Sequence, residues 1–145
     1  MKTFIGTKII QAEPQAKTDG PTDTHGQPGY KVVYPDGYTS WSPAAAFEEA
    51  YRETTGMPFG LAVEALKKGR RVARMGWNGK GMWLELVSAN GYSVGCSIPC
   101  VTETNEFGMI RRLPWIGMKT ADNGFVPWLA SQTDMLADDW MILMH

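Results

Sequence analysis

The sequence predicts an α+β protein in which an N-terminal amphipathic helix packs on an antiparallel β-sheet, preceded by a small ββα-type N-terminal extension. The helix is predicted by apolar residues at the i, i+3, i+4 and i+7 spacing of one helix face, which are Phe59, Ala62, Val63 and Leu66. The sheet is predicted by side chains that alternate between two faces from Met82 to Val87. Its strands are expected to run antiparallel, because Asn78-Gly79 and Asn123-Gly124 are tight-turn dipeptides.

The length of the chain sets the number of domains. At 145 residues it can hold one ordinary domain or two small ones. We predict two units, residues 1–56 and residues 57–145. The hydrophobic content of 43% and charged content of 20% are ordinary for a soluble globular protein. A unit of about 56 residues is marginal for an independent core, so the first unit is expected to lean on the second or on a partner.

The first unit is predicted to contain a strand, a hairpin and a helix. Residues 2–12 are rich in β-branched side chains, and residues 13–29 carry proline and glycine with few apolar groups, which predicts a strand and then a loop. Tyr30–Tyr34 and Tyr38–Trp41 flank Pro-Asp-Gly, the pattern of a compact hairpin. A helix over Ala44–Glu53 follows, and the preceding Ser-Pro pair supplies its start signal.

The second unit opens with the amphipathic helix, which ends at Gly69. A strand over Arg71–Met75, a glycine-rich turn and a strand over Met82–Val87 are predicted next. Residues 88–112 are punctuated by glycine, proline and asparagine, which predicts a long loop or an irregular hairpin.

Ordered elements return after this loop. Leu113–Thr120 is predicted to be a strand, and Phe125–Leu129 an edge or interrupted strand, because Pro127 lacks a backbone donor. Ser131–Asp134 has the spacing of a helix capping box, with aspartate in the place of glutamate, which predicts a short helix. Trp140–Met144 is predicted to be the last strand.

The charge of the chain is unevenly distributed. The net charge is −1, so the whole molecule has no field that attracts a polyanion. Six of the fourteen basic residues nevertheless fall between Lys67 and Lys80. Such a patch fits a small phosphorylated ligand better than a DNA groove, which needs more extended neutralisation. A solvated helix end and strand edge would explain it equally well.

Residues that carry chemistry are few. Cys96 and Cys100 have no histidine nearby, so they make a poor zinc site, and free thiols are expected rather than a disulfide framework. The two histidines, His25 and His145, lie in a predicted loop and at the terminus, and no Cys-His or Ser-His pairing is evident. We therefore predict no catalytic residue, no metal and no cofactor. No apolar run reaches the length of a membrane span.

Arg74–Val87 carries the clearest pattern of a binding site. Its three glycines surround Trp77, Asn78 and Lys80, which places an indole, an amide and an ammonium at a turn. A flat ring suits a base, while cations and backbone N–H groups suit phosphate, so the turn fits a nucleotide. An ordinary hairpin stabilised by cross-strand aromatic pairs is the alternative. The G-x-x-G-x-G spacing is neither a Walker loop nor a dinucleotide fingerprint, because no apolar helix follows it.

Four segments of the second unit match a known family: residues 59–69, 71–84 (with Arg-Met-Gly-Trp-Asn-Gly-Lys-Gly), 118–124 and 126–140 (with Val-Pro-Trp-Leu-Ala-Ser-Gln-Thr-Asp). Through them the unit resembles the second class of Thoeris anti-defence proteins, which phages make. The resemblance covers essentially residues 57–145. Free-standing relatives begin just before the helix, so Met57 is expected to mark an old start codon and the point of fusion.

This resemblance implies a function. Members of the family are non-enzymatic sponges that bind the nucleotide signal made by bacterial TIR-domain proteins, a glycocyclic ADP-ribose, and withhold it from the host effector. Some members also bind cyclic dinucleotides of a second defence pathway. Family members are homotetramers with ligand pockets between protomers. The chain is accordingly expected to act in the host bacterial cytoplasm as a homotetramer, without a cofactor, a membrane or nucleic acid as partner.

The resemblance also implies site residues. The positions that match the family's motifs are Trp77, Asn78, Pro127, Trp128, Ser131, Gln132, Thr133 and Asp134. The predicted ligand-binding set is Arg74, Trp77, Asn78, Lys80, Trp83, Trp128, Ser131, Gln132, Thr133 and Asp134.

Each chemical part of the ligand has candidate partners in this set. The candidates for stacking on the base are Trp77, Trp83 and Trp128, together with Trp115, which lies outside the set. Arg74, Lys80 and the Gly79–Gly81 amides are candidates for the pyrophosphate, and free N–H groups at Ser131–Thr133 could add to them. Asn78, Gln132 or Asp134 would bond ribose. Several have a structural alternative: Trp128 as core, Asp134 as a helix cap and Arg74 as a residue flanking the sheet.

No residue pattern in the first unit indicates a chemical function. Residues 1–52 resemble a family of small phage proteins of unknown role through residues 2–14 and 29–52. Two other functions stay open for the whole chain. One is a nucleic-acid-binding or scaffold protein of the phage, favoured by the basic cluster, and the other is an enzyme that degrades the signal.

Overall fold

The computed structural model describes residues 1–91 and 112–144. The chain forms two compact units, Met1–Glu53 and Thr54–His145. In the described residues each unit combines an antiparallel sheet with helix, which confirms the predicted α+β class. Cys96 and Cys100 lie outside the described residues, as does most of the loop predicted over residues 88–112.

The N-terminal unit is a three-stranded antiparallel sheet followed by a helix. Its elements, with the strands in the order β1-β2-β3, are β1 (Gln11–Pro14), β2 (Gly29–Val33), β3 (Thr39–Pro43) and α1 (Ala44–Ala50). The strand predicted over residues 2–12 is wrong before Gln11, because β2 provides partners only for residues 11–14. β-branched composition without a partner strand is not enough to form a strand. The unit has the predicted order of a strand, a hairpin and a helix, but its first strand is confined to residues 11–14.

Aromatic stacking joins α1 to its sheet. The ring of Tyr30 on β2 stacks on Phe47 of α1 at 4.2 Å between centroids, and Phe47 stacks on Tyr51 at 4.9 Å. The Tyr30 hydroxyl donates to Glu48 Oε1 at 3.0 Å. The structure describes every residue of Met1–Glu53. Within that range, Val32 is the one apolar side chain that is fully buried. Packing of this unit therefore depends on a few partly exposed rings.

The C-terminal unit is a five-stranded antiparallel sheet with two helices in its described part. Its elements are α2 (Phe59–Lys67), β4 (Val72–Arg74), β5 (Trp83–Val87), β6 (Trp115–Lys119), β7 (Phe125–Pro127), α3 (Gln132–Met135) and β8 (Trp140–Ile142). The strand order is β7-β6-β5-β4-β8. β7, which contains Pro127, lies at the edge of the described sheet, as its missing donor predicts.

Helix α2 and one face of this sheet enclose the core of the unit. Leu66 of α2 packs with Val72 of β4, Leu84 of β5 and Trp140 of β8, and each of these four side chains is at most 1% exposed. Ala62 and Ala65 complete the buried face of α2, whereas Val63, which the apolar spacing placed on that face, is only half-buried. The small residues at 62 and 65 let the helix approach the sheet closely.

The opposite face of the sheet carries a second set of rings. Trp83, Lys119 and Phe125 are consecutive partners across β5, β6 and β7, so their side chains share the face that α2 does not cover. The Phe125 ring lies over Gly117, where a Cβ would overlap it, and is flanked by Trp83 and Trp115 at 6.1 and 5.9 Å. A side chain at 117 would therefore force the Phe125 ring to shift.

Candidate functional site

The connection between β4 and β5 is a 3₁₀ turn followed by a left-handed bend. Met75–Trp77 form the 3₁₀ turn, so the strand predicted over Arg71–Met75 ends one residue early. Asn78, Gly79 and Gly81 then adopt φ values of 56°, 64° and 69°. Left-handed backbone suits glycine and asparagine, which explains the residue types of this stretch. The bend presents Asn78 and Lys80 to solvent.

Trp77 packs on the core of the C-terminal unit rather than standing clear of the turn. Its ring meets Trp140 edge-on at 5.5 Å and 77°, and Trp128 edge-on at 6.5 Å and 69°. Trp128 in turn contacts Phe59 at 6.0 Å, and both rings are half-buried. Trp77 is also half-buried, so it holds the turn on the core while part of its ring reaches solvent.

Arg74, at the end of β4, bonds two carboxylates at once. Its Nε donates to Asp139 Oδ1 at 2.8 Å, and its Nη1 donates to Asp134 Oδ1 at 2.8 Å. The side chains of Arg74, Asp134 and Asp139 are 16%, 16% and 32% exposed. Such charge-assisted bonds are short and directional, and their partly buried setting limits screening by solvent.

Asp139 also bonds the backbone of the turn. Its Oδ2 accepts from the Gly76 N–H at 2.8 Å, and its backbone carbonyl accepts from the Met75 N–H at 3.1 Å. The Met75 carbonyl then accepts from the Asn78 N–H at 3.2 Å. A continuous set of hydrogen bonds thus runs from Asp139 to Asn78.

Ser131–Asp134 form the predicted capping box at the start of α3. Ser131 Oγ accepts from the Asp134 N–H at 3.0 Å, and Ser131 donates to Asp134 Oδ2 from its hydroxyl at 2.7 Å and from its N–H at 3.4 Å. The Trp140 indole N–H donates to the Asp134 carbonyl at 2.9 Å. Asp134 is therefore both the capping-box partner of Ser131 and a partner of Arg74, while Gln132 and Thr133 are exposed on the helix.

The hydrogen bonds shift three pKa values in a consistent direction. The bonds to Asp139 and Asp134 raise the pKa of Arg74. The bond from Arg74 is the main cause that lowers the pKa of Asp139. Burial raises the pKa of Asp134, but bonds from Ser131 and Arg74 outweigh it and leave that pKa lowered. All three groups are therefore charged at neutral pH.

Nine of the ten predicted ligand-binding residues come from two chain segments, residues 74–80 and residues 128–134. Arg74 contacts Asp134 directly, and Trp77 contacts Trp128, so the fold brings the two segments together. Trp83 is the exception, since it lies on the opposite face of the sheet from buried Leu84. There the Arg71 guanidinium lies 4.0 Å from the centre of its ring. Which of these residues touch a ligand stays a prediction.

Asp139 was missed by reasoning from the sequence. It lies 65 residues from Arg74, and its neighbour Asp138 is an equally good candidate on sequence alone. A cap or a turn has a local signature, but a pairing across such a separation has none.

Salt bridges neutralise part of the basic cluster, the six lysine and arginine residues from Lys67 to Lys80. Lys67 Nζ lies 3.0 Å from Glu64 Oε1, and Arg71 Nε lies 3.3 Å from Glu85 Oε2. With Arg74, three of the six cations between residues 67 and 80 have carboxylate partners. The field available to a polyanion is reduced accordingly.

No group of three or more histidine, cysteine, aspartate or glutamate side chains among residues 1–91 and 112–144 is placed to hold a metal ion. Over the same ranges, no helix has the length and apolarity needed to cross a membrane.

Comparison with known proteins places the second unit in a family. The family model of the Thoeris anti-defense 2-like domain matches residues 57–143. Thoeris anti-defense 2 of Bacillus phage SP01 is 45% identical over an alignment of 91 residues, and the match covers 61% of this chain and 97% of that relative. The matched region contains both segments of the candidate site.

Proposed function

The chain belongs to the Thoeris anti-defense 2-like family, and we propose that it is a phage anti-defence protein that sequesters, without cleaving, the cyclic nucleotide signal of the Thoeris system. The observation that carries this proposal is that the family match spans residues 57–143, which include the turn and the α3 segment. The proposed ligand is glycocyclic ADP-ribose, and cyclic dinucleotides are a second ligand class to be tested. The proposed place of action is the cytoplasm of the infected bacterium.

The turn after β4 supports nucleotide binding by its geometry. Asn78 and Lys80 are exposed beside a half-buried indole, so an amide, a cation and part of a ring are accessible within four positions. Stacking of a base on an aromatic ring contributes roughly 1–3 kcal/mol. Lys80 would neutralise phosphate, Asn78 would bond ribose, and the exposed Gln132 and Thr133 would add polar contacts from α3.

A single exposed turn is too small for effective sequestration. To compete with a host effector at sub-micromolar signal, the protein needs a dissociation constant near 1 nM, equivalent to about −12 kcal/mol. Ligand pockets usually enclose most of the ligand surface. We therefore propose that a neighbouring protomer closes the site, as in a homotetramer.

The distinction between sequestration and degradation is tested by recovering the ligand. The protein is incubated with glycocyclic ADP-ribose, freed of unbound ligand by gel filtration and denatured by heat, and the released nucleotide is identified by mass spectrometry. Sequestration predicts release of the intact messenger. A hydrolysed product, bound or in the unbound fraction, would instead support an enzyme, and an empty protein fraction with intact messenger in the unbound fraction would contradict both functions.

A matched variant makes this assay specific. Asn78→Ala is expected to co-elute with much less messenger, because it removes an exposed amide at the turn, whereas Asn90→Ala, at an exposed turn further along the chain, should retain it. Equal retention by both variants would place the ligand elsewhere. Retention of DNA at 150 mM salt, without binding of any nucleotide messenger, would favour the nucleic-acid-binding alternative.

A further inference from the structure

We infer that Arg74 and Asp139 are positioning residues, which hold the Trp77–Asn78 turn in its binding shape, and that Arg74 does not contact the ligand. This inference rests on the proposed function, since the turn is the proposed site. Arg74, which the sequence suggests as a cation for the pyrophosphate, is thereby assigned a positioning role.

The charge around Arg74 argues against a role in phosphate binding. One guanidinium faces two carboxylates, those of Asp134 and Asp139, each at 2.8 Å. The cluster therefore carries one net negative charge, which repels phosphate. The Arg74 side chain is also only 16% exposed, whereas Lys80 is exposed. Lys80 is the exposed cation within the turn itself, and Lys119 Nζ, from β6, donates to the Gly81 carbonyl at 3.1 Å.

The bonds of Asp139 explain how the turn is held. Asp139 accepts from Arg74 Nε, Gly76 N–H and Met75 N–H, which belong to three consecutive residues. These residues directly precede Trp77 and Asn78. Because the Met75 carbonyl accepts from the Asn78 N–H, a shift of Met75 would be transmitted to Asn78. Asp139 thus sets the entry to the left-handed bend.

Arg74 also connects the turn to α3. Its bond to Asp134 Oδ1 leaves Oδ2 to accept from Ser131, so the Asp134 carboxylate serves the capping box and the guanidinium together. The exposed Gln132 lies inside that cap. The planar guanidinium of Arg74 therefore fixes the spacing between residues 74–80 and residues 128–134. Arginine is suited to this role and lysine is not, because lysine has no planar array of donors.

A double-mutant cycle on ligand affinity separates positioning from direct contact. Glycocyclic ADP-ribose is titrated calorimetrically into the full chain, Arg74→Lys, Asn78→Ala and the double variant. Positioning predicts that Arg74→Lys weakens binding about tenfold in the wild-type background, because lysine keeps the charge but loses the fork. In the Asn78→Ala background the same change should cost no more than about twofold. An equal loss in both backgrounds, or no loss from Arg74→Lys, would overturn the inference.

A second measurement needs no ligand. Amide hydrogen exchange at Met75 and Gly76 is expected to accelerate about tenfold or more in Asp139→Asn. It should be unchanged in Asp138→Asn, the matched neighbour with an exposed side chain. The melting temperature of each variant shows that the fold persists. Unchanged exchange in Asp139→Asn would refute the positioning role, whereas failure of the wild-type chain to bind messenger while exchange accelerates would refute only the proposed function.

Discussion

Asn78 combines a backbone role and a side-chain role at the proposed site. Its φ of 56° is left-handed, and its exposed amide stands at the tip of the turn. Glycine adopts this φ without cost, whereas alanine pays roughly 1–2 kcal/mol. The two roles can therefore be separated by substitution.

Asn78→Gly is expected to retain the melting temperature of the wild-type chain but to bind glycocyclic ADP-ribose about tenfold more weakly, since one hydrogen bond is lost. Asn78→Ala should lose both affinity and stability. Thermal denaturation and calorimetry on the two variants provide the comparison, and wild-type affinity in Asn78→Gly would exclude the amide as a contact.

Substitution of Gly117 tests the close approach of the Phe125 ring on the face of the sheet that α2 does not cover. Gly117→Ala should destabilise the protein by about 1–3 kcal/mol, because the new methyl group overlaps the Phe125 ring. Gly60→Ala is the matched control, since its helical site has no atom within 4 Å of the added Cβ. It should stabilise by roughly 0.5–1 kcal/mol. Urea denaturation measures both, and equal stability of the two variants would contradict this packing.

At the level of elements, the bonds of Arg74 join β4 to α3 and to the approach to β8. The pKa values of Asp134 and Asp139 are lowered in the folded protein, so both carboxylates bind protons more readily when unfolded. Their stabilising contribution is therefore complete above the usual aspartate pKa of 3.8 and is lost as the pH falls below it.

The free energy of unfolding is accordingly expected to owe no pH dependence to these two groups between about pH 5 and 8, and to fall steeply below about pH 4. Asp139→Asn should lower the free energy of unfolding between about pH 5 and 8 and make its fall below about pH 4 less steep, because one titrating carboxylate is gone. Urea titrations at a series of pH values measure this. A fall of wild-type steepness in Asp139→Asn would show that Asp139 does not contribute.

Elements with a local signal were predictable, and those that depend on distant partners were not. The capping box of α3 and the apolar face of α2 follow from residues three or four positions apart, and both formed. The strand predicted over residues 2–12 was mostly wrong because its partner strand ends at Val33. The chemistry of Arg74 and Trp77 makes both of them candidate site residues, but their pairing with Asp139 and Trp140 depends on tertiary packing.

For the whole molecule, the two units differ in how they are stabilised. The C-terminal unit encloses a core of buried aliphatic side chains and Trp140, whereas the N-terminal unit relies on Val32 and a stack of three rings. A unit of about 50 residues is marginal alone. The relative from Bacillus phage SP01, 97% of which is matched by 61% of this chain, is correspondingly shorter.

A chain that begins at Thr54 is therefore expected to unfold cooperatively and to keep the messenger affinity of the full chain within about twofold. Residues 1–53 alone should show a broad thermal transition, because their core is small. Calorimetry and circular dichroism on both fragments test this. Loss of binding on removal of residues 1–53 would assign the first unit a part in the site.

The most direct test of the central claim is calorimetric titration of the full chain with authentic glycocyclic ADP-ribose. Capture of the messenger predicts saturable binding with a dissociation constant near 1 nM, equivalent to about −12 kcal/mol, and a marked loss of affinity in a Trp77→Ala, Asn78→Gly double variant. The absence of binding heat with this messenger and with cyclic dinucleotides would contradict it. So would unchanged affinity in the double variant, because the ligand would then lie elsewhere.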